Sequence, residues 1–290
     1  MWHFLRGVEN MNTKVDLEMS NADYHDKSQH PHISSSDIKE IAATSVLHWA
    51  IKQDKPRKET PAMRMGSMLH SMILEPHKKE YVRGLPNRLK RKEWAAMEEK
   101  AAKQGKILVT EGEYDEAEEL AAIALDTCKL LRESIKKENF VAEASVFTYL
   151  DDFNLAVKAR PDGLLMPTKE GEQGIILDIK KTKATTPKEF EKEIQRYSYD
   201  LQASYYMMVM RQAEMPCNKF YFIAVNGDTG VATVHELSEL YLKYAEKRMY
   251  EAMHKLVHAQ STGQFDTGWN DVNVIHLPAW LEDELGEEPF

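Results

Sequence analysis

Along this chain of 290 residues, hydrophobic and polar positions fall into blocks whose period changes from helical to extended and back. Residues 1 to 32 are polar and aperiodic, ending in "HDKSQHPH", and read as a flexible N-terminal arm. "ISSSDIKEIAATSVLHWAI" (33 to 51) predicts a helix, with Ser34, Ser35 or Ser36 as N-cap and Ile38, Ile41, Ala42, Ser45 and Val46 at helical spacing. "MRMGSMLHSMILEP" (63 to 76) predicts a second, stopped at Glu75-Pro76. Residues 84 to 105 read as basic and irregular. From 110 to 139 one long helix is predicted, opened by a capping box from Thr110 to Glu113.

The period then shortens to two. "FVAEASVFTYL" (140 to 150), "NLAVKARPDGLLM" (154 to 166) and "GIILDIKKT" (174 to 182) predict strands separated by turn-forming residues. Residues 187 to 212 return to a helical period, with Pro187 suited to a first turn. "KFYFIAVN" (219 to 226) and "VATVHEL" (231 to 237) predict strands around "GDTG", and 238 to 260 a final helix. This order predicts an α/β (α+β) protein, a mixed sheet flanked by helices, with a helical N-terminal part over 33 to 139 and a core over 140 to 260. One domain is expected over 33 to 282, followed by an acidic tail at 283 to 290.

Composition narrows the chemistry. At 42% hydrophobic residues the chain can bury a large core, and no apolar run approaches the roughly 20 residues of a membrane span, so a cytoplasmic protein without membrane contact is expected. The two cysteines, Cys128 and Cys217, provide no thiolate cluster, so any metal is held by oxygen and imidazole. The net charge of −9 includes Glu282, Asp283, Glu284, Glu287 and Glu288 in the last ten residues, without which it is −4. Lysines and arginines cluster at 51 to 58, 88 to 92 and 180 to 183, which permits a polyanionic partner; such runs are also common on solvated faces.

Within "LDIKK", strand alternation puts Asp178 and Lys180 on one face with Ile179 on the other. A carboxylate and an amine so placed can hold a divalent cation and the water beside it, and they equally suit a surface salt bridge. The same three letters recur at Asp37-Ile38-Lys39. Asp162 of "ARPDG", on the preceding strand, can approach Asp178, and two converging carboxylates repel unless a cation separates them. On the following helix Gln202 and Tyr206, four apart, share a face; Gly66 and His70 have the same spacing. Gly66 allows a close approach and His70 directs an imidazole, although Tyr206 also suits a core and His70 a structural role. Arg160 can contact a phosphate or pair with an acid.

Taken together and in order, "GSMLH", "RPDG", "LDIKKT" and "QASYY" resemble the PD-(D/E)xK nuclease superfamily in its RecB-like form. "MGSMLHSMILEP", "AEASVF", "DIKKT" and "LPAW" are similar to RecE-like exonucleases and their phage relatives, over roughly residues 20 to 282. The resemblance implies a Mg²⁺-dependent 5′-to-3′ exodeoxyribonuclease that digests linear duplex DNA from its ends and leaves 3′ single strands for recombination by annealing, with Mn²⁺ as the alternative metal and two ions during catalysis. It also implies that His70, Asp162, Asp178 and the Ile179 carbonyl ligate metal, that Lys180 orients or deprotonates the attacking water, that Glu143 reaches the metal region, and that Gln202 and Tyr206 position the scissile strand. A RecT-like annealing protein and a homo-oligomeric ring, tetrameric rather than trimeric, complete the implied partners. The alternatives are a non-catalytic DNA-binding scaffold of the same fold and a site- or structure-specific endonuclease.

Overall fold

The computed structural model describes residues 13 to 269 and 272 to 278, apart from 54, 56 to 59, 170 and 171. Residues 1 to 12 of the expected arm, the acidic tail and the last residues of "LPAW" lie outside the described residues. In chain order the elements are β1 (Lys14–Asp16), α1 (Asn21–His25), α2 (Ser35–Ala43), α3 (Val46–Gln53), α4 (Pro61–Leu74), β2 (Tyr81–Arg83), α5 (Arg91–Ala102), β3 (Ile107–Val109), α6 (Glu111–Thr127) and α7 (Lys129–Ser134). There follow β4 (Phe140–Ala142), β5 (Ser145–Leu150), β6 (Leu155–Ala159), β7 (Gly163–Leu165), β8 (Gly174–Thr182), α8 (Pro187–Tyr197), α9 (Tyr199–Gln212), β9 (Cys217–Asn226), β10 (Ala232–Glu236) and α10 (Glu239–Thr262).

A five-stranded mixed sheet, ordered β10-β9-β8-β7-β4, carries the architecture. Strands β8 and β9 are parallel and joined through α8 and α9, whereas β7 is antiparallel to both β8 and β4. Alternation along β8 and β9 divides the core into two layers. Ile176 and Phe222 face Leu201, Tyr205 and Val209 of α9, with α10 beyond; Ile179, Ile223 and Val225 face Leu69 and Ile73 of α4 and Leu120 of α6. A second sheet, β1-β5-β6, is antiparallel, and β2 with β3 forms a separate parallel pair. The α/β prediction of a mixed sheet between helices is the observed fold.

Several boundaries differ from the periodicity, each with a local cause. Residues 13 to 32 are tied to the domain: β1 pairs with β5, Tyr24 is buried, and the Lys158 ammonium donates to the carbonyls of Tyr24 (2.7 Å) and His30 (3.1 Å). That correction lay beyond pattern reading, because the partners are more than a hundred residues away. The predicted helix from 33 divides at Thr44 and Ser45, and the long one from 110 at Cys128, whose backbone is extended. The helix predicted over 187 to 212 divides at Ser198, which takes a left-handed conformation. Residues 84 to 105, read as irregular, contain α5, whose Trp94 and Ala101 pack on Leu108 of β3. The capping box of Thr110 and Glu113 forms as predicted, as does Pro187 in the first turn of α8.

Candidate metal centre and its cleft

The register of β7 on β8 pairs Gly163 with Leu177. Continued two residues past the end of β7, that register sets Asp162 opposite Asp178 and then Pro161 opposite Ile179. Proline has no N–H, so the Ile179 carbonyl receives no ladder bond there. Nε2 of His70, on α4, takes up that carbonyl oxygen at 2.9 Å. The Ile179 N–H is taken by Oδ2 of Asp162 at 2.7 Å. The Pro-Asp pair thus opens the ladder with one residue and occupies the freed donor with the next. Gly163 completes the motif for a steric reason, since a Cβ there would lie 2.7 Å from the Phe140 ring.

His70 reaches Asp162 as well, with Nδ1 3.6 Å from Oδ1. Glu143 joins them from the β4-to-β5 connection, where its backbone is left-handed (φ 52°) and its N–H donates to the Asp162 carbonyl at 3.0 Å. A non-glycine residue at positive φ is a strained conformation of the sort found at functional sites. One ligand atom from each of His70, Glu143 and Asp162 lies within 4.8 Å of the others. Burial, and next the nearby Asp162 charge, push the Glu143 carboxyl up to about 7. Two half-enclosed carboxylates and an imidazole converging in this way fit a divalent cation, which would relieve that repulsion; hard oxygen donors with one imidazole suit Mg²⁺ or Mn²⁺. The His70 to Ile179 oxygen separation of 2.9 Å also equals, to a few tenths, the spacing of neighbouring ligands in an octahedral shell of about 2.1 Å radius.

Asp178 lies deeper and outside that trio. It is fully buried, and its Oδ1 accepts from Nε2 of Gln202 at 2.8 Å while Oδ2 pairs with the Lys180 ammonium. The contact of Asp178 with Lys180 is therefore interior, which excludes the surface salt bridge. Burial pushes the Asp178 carboxyl up to about 6 against the opposing pull of Lys180. Burial works against the Lys180 charge too, but Asp178 and then Asp162 outweigh it and hold the amine above the ordinary lysine range. The amine also sits 5.0 Å above the Tyr199 ring. Gln202, expected to position the scissile strand, has its amide nitrogen on Asp178.

A cleft of about 490 Å³ opens onto the trio, lined by Ser20, Asn21 and Tyr24 of the N-terminal segment, Ser67, His70 and Ser71 of α4, and Arg160 and Tyr206. Tyr206 is nine-tenths buried and belongs to the core while also lining the cleft. Arg160 is equally buried: its Nε lies 2.8 Å from Glu143 and Nη2 donates to the Met19 carbonyl, while Nη1 has no protein partner among the described residues. Gly66 stands one helical turn before His70, and a Cβ there would meet no atom within 4 Å. Among the described residues, no packing demands glycine at that position. The sequence reading missed the contribution of Ser20 and Asn21, which carry no motif, and did not single out Glu143 as the acid that pairs with Arg160, the two lying in connections between strands.

The family described as "PDDEXK-like domain of unknown function (DUF3799)" matches residues 34 to 272. Comparison with curated proteins gives no match. Among solved structures, a protein of Eubacterium rectale described as a "Putative exonuclease" superposes with a TM-score of 0.57 at 13% identity, covering 94% of this chain and all of that one. This likeness shows the fold. SSO0001, at 14% identity, covers 65% of this chain and 86% of its own with a TM-score of 0.26, too slight to carry further meaning.

Proposed function

The chain belongs to the PDDEXK-like family, and on that premise we propose that it is a divalent-metal-dependent deoxyribonuclease, specifically a 5′-to-3′ exodeoxyribonuclease acting on the ends of linear duplex DNA. The observation that carries the hydrolytic part is the convergence of His70, Glu143 and Asp162 within 4.8 Å, beside the buried Asp178 and Lys180 pair. Direction and end-dependence rest on the motif resemblance to RecE-like exonucleases, and the description of the Eubacterium rectale neighbour agrees with an exonuclease.

His70, Glu143 and Asp162 would hold Mg²⁺ beside the Ile179 carbonyl, and Asp178, which the motif resemblance adds as a ligand, would join them from its deeper position between Lys180 and Gln202. A divalent ion bound there supplies a Lewis acid that makes water more acidic and offsets charge on the phosphate. Lys180 contributes a fixed positive charge next to the attacking water and orients it. Gln202 holds Asp178 in place from behind, so it is a positioning residue. Arg160, with one guanidinium nitrogen still without a protein partner, receives a phosphate oxygen, and Tyr206 lines the path of the scissile strand.

Degradation of end-labelled linear duplex next to covalently closed circular DNA, with and without divalent ion, tests the reading. Loss of the linear species alone, only with metal, supports it. Nicking of the circle points to an endonuclease, and binding without hydrolysis to a scaffold. The resemblance further supports a tetrameric ring and a RecT-like annealing partner, for which sedimentation and co-purification are the direct tests.

A further inference from the structure

Residues 76 to 110 differ in charge from the chain as a whole. They contain ten lysines and arginines against four glutamates, a net +6. The remainder of a chain whose total is −9 therefore carries −15. These residues also fold as a unit: β2 and β3 form a parallel pair roofed by α5, with Trp94, Ala101 and Leu108 packed on Val82, Leu85 and Met97. One end of this unit is a wall of the cleft, to which it contributes Lys78, Glu80, Tyr81 and Gly105.

We propose that this β2-α5-β3 unit is a docking surface for the phosphate backbone of duplex DNA leading into the cleft. The proposal rests on the nuclease reading for the identity of the polyanion and on the unit itself for its form. Half of its cations have local acidic partners: Lys78 pairs with Glu75, Arg83 with Glu111 and Asp115, Arg88 with Glu113, Lys90 with Glu93 and Lys103 with Glu99. Lys79, Arg91, Lys92, Lys100 and Lys106 have no acidic partner among the described residues. Unpaired cations held on a packed helix and turn provide a rigid array of charge. The 12-residue α5 extends about 18 Å, the length of about five phosphates on one strand.

Chemistry selects duplex over single strand. Proteins that hold single strands combine cations with exposed aromatic rings on which bases stack. The large rings of this unit, Tyr81 and Trp94, are both buried and its one exposed ring is the small imidazole of His77, so the exposed surface has charge without a large stacking platform. A duplex, whose bases are already stacked and whose phosphates are regularly spaced, matches such a surface.

Two charge-reversed pairs test this: Arg91→Glu with Lys92→Glu at the outer end, and Lys79→Glu with Lys106→Glu beside the cleft. Both pairs lie outside the hydrophobic cluster, and circular dichroism and thermal melting verify folding. Binding of a fluorescent 20-base-pair duplex and of its single strand is followed by anisotropy in Ca²⁺ across a salt series. Each pair is expected to weaken duplex binding by about tenfold or more at low salt and to flatten the logarithmic salt slope by about 0.9 for each phosphate that the protein no longer neutralises. Single-strand binding should fall distinctly less. Duplex affinity and slope unchanged in both folded variants would overturn the proposal, as would equal losses for single strand and duplex. If the wild-type protein binds duplex through this surface yet hydrolyses nothing with Mg²⁺, the nuclease reading fails and the docking surface stands.

Discussion

Nε2 of His70 lies 2.9 Å from the carbonyl oxygen of Ile179, joining residues 109 positions apart across the mouth of the cleft. Neither group belongs to the other's element. The β7–β8 register, continued two residues past Gly163, sets Pro161 opposite Ile179, and a proline there cannot donate, which leaves the strand carbonyl open to a ligand.

Pro161→Ala restores an N–H opposite that carbonyl. Divalent-ion affinity, measured by Mn²⁺ titration, should fall by roughly tenfold, the scale found when groups that orient metal ligands are disturbed. Folding should lose only the about 0.4 to 1 kcal/mol expected from a freer unfolded chain. Unaltered Mn²⁺ affinity would show that the ladder opening is immaterial.

Lys180→Met removes the charge next to the water and keeps the bulk of the side chain. Turnover should drop by about 10² to 10³, the range for loss of one preorganised electrostatic partner, with Mn²⁺ and duplex binding retained. Melting should also fall, because Asp178 loses the cation that offsets its burial. Metal affinity collapsing together with turnover would mean that Lys180 has been given the wrong role.

At Gly66 stability and function should part. Alanine fits the open space and favours the helix by about 0.5 to 1 kcal/mol over glycine, so Gly66→Ala should melt higher. If the glycine is there to let a phosphate approach, DNA affinity should fall in the same variant. A gain in both would identify Gly66 as a neutral helix position.

His32 gives a pH dependence outside the centre. Burial, and then Lys158, lower its imidazole to about 4, against an unfolded value near 6.5. Between these values the unfolded chain binds the proton and the folded one does not, so stability from this residue is complete above pH 6.5 and is lost as the pH falls towards 4. His32→Phe, which can keep the ring contact with Phe147, should show a smaller drop in melting temperature between pH 7 and pH 5 than the wild type. Equal drops would assign the effect elsewhere.

Much of this was legible in the sequence. The strand period around Asp178, the helical spacing of Gln202 and Tyr206, and the Thr110 capping box are local signals, and the elements form where those signals stand. The strand expected over 154 to 166 instead divides at Arg160, Pro161 and Asp162 into β6 and β7 of different sheets. What escaped reading was backbone conformation at single residues and contact between distant ones. Ser198 and Cys128 interrupt continuous helical patterns through backbone conformation alone. The segment containing Tyr24 is held by Lys158, a buried cation whose partners are carbonyls and so leave no trace in residue type. Glu143 and Arg160 meet where the β4–β7 and β5–β6 pairings adjoin. The face shared by Asp178 and Lys180 was readable, whereas the deep position of Asp178, outside the trio of His70, Glu143 and Asp162, required the fold.

The central claim is that these side chains hold a divalent cation, and Mn²⁺ binding followed by electron paramagnetic resonance addresses it without dependence on turnover. The wild-type protein should sequester Mn²⁺ at a saturable site from which Mg²⁺ displaces it, and Asp162→Asn and His70→Ala, folded by circular dichroism, should each lose that site. Wild-type protein leaving all the Mn²⁺ free, or both variants binding it undiminished, would contradict the account.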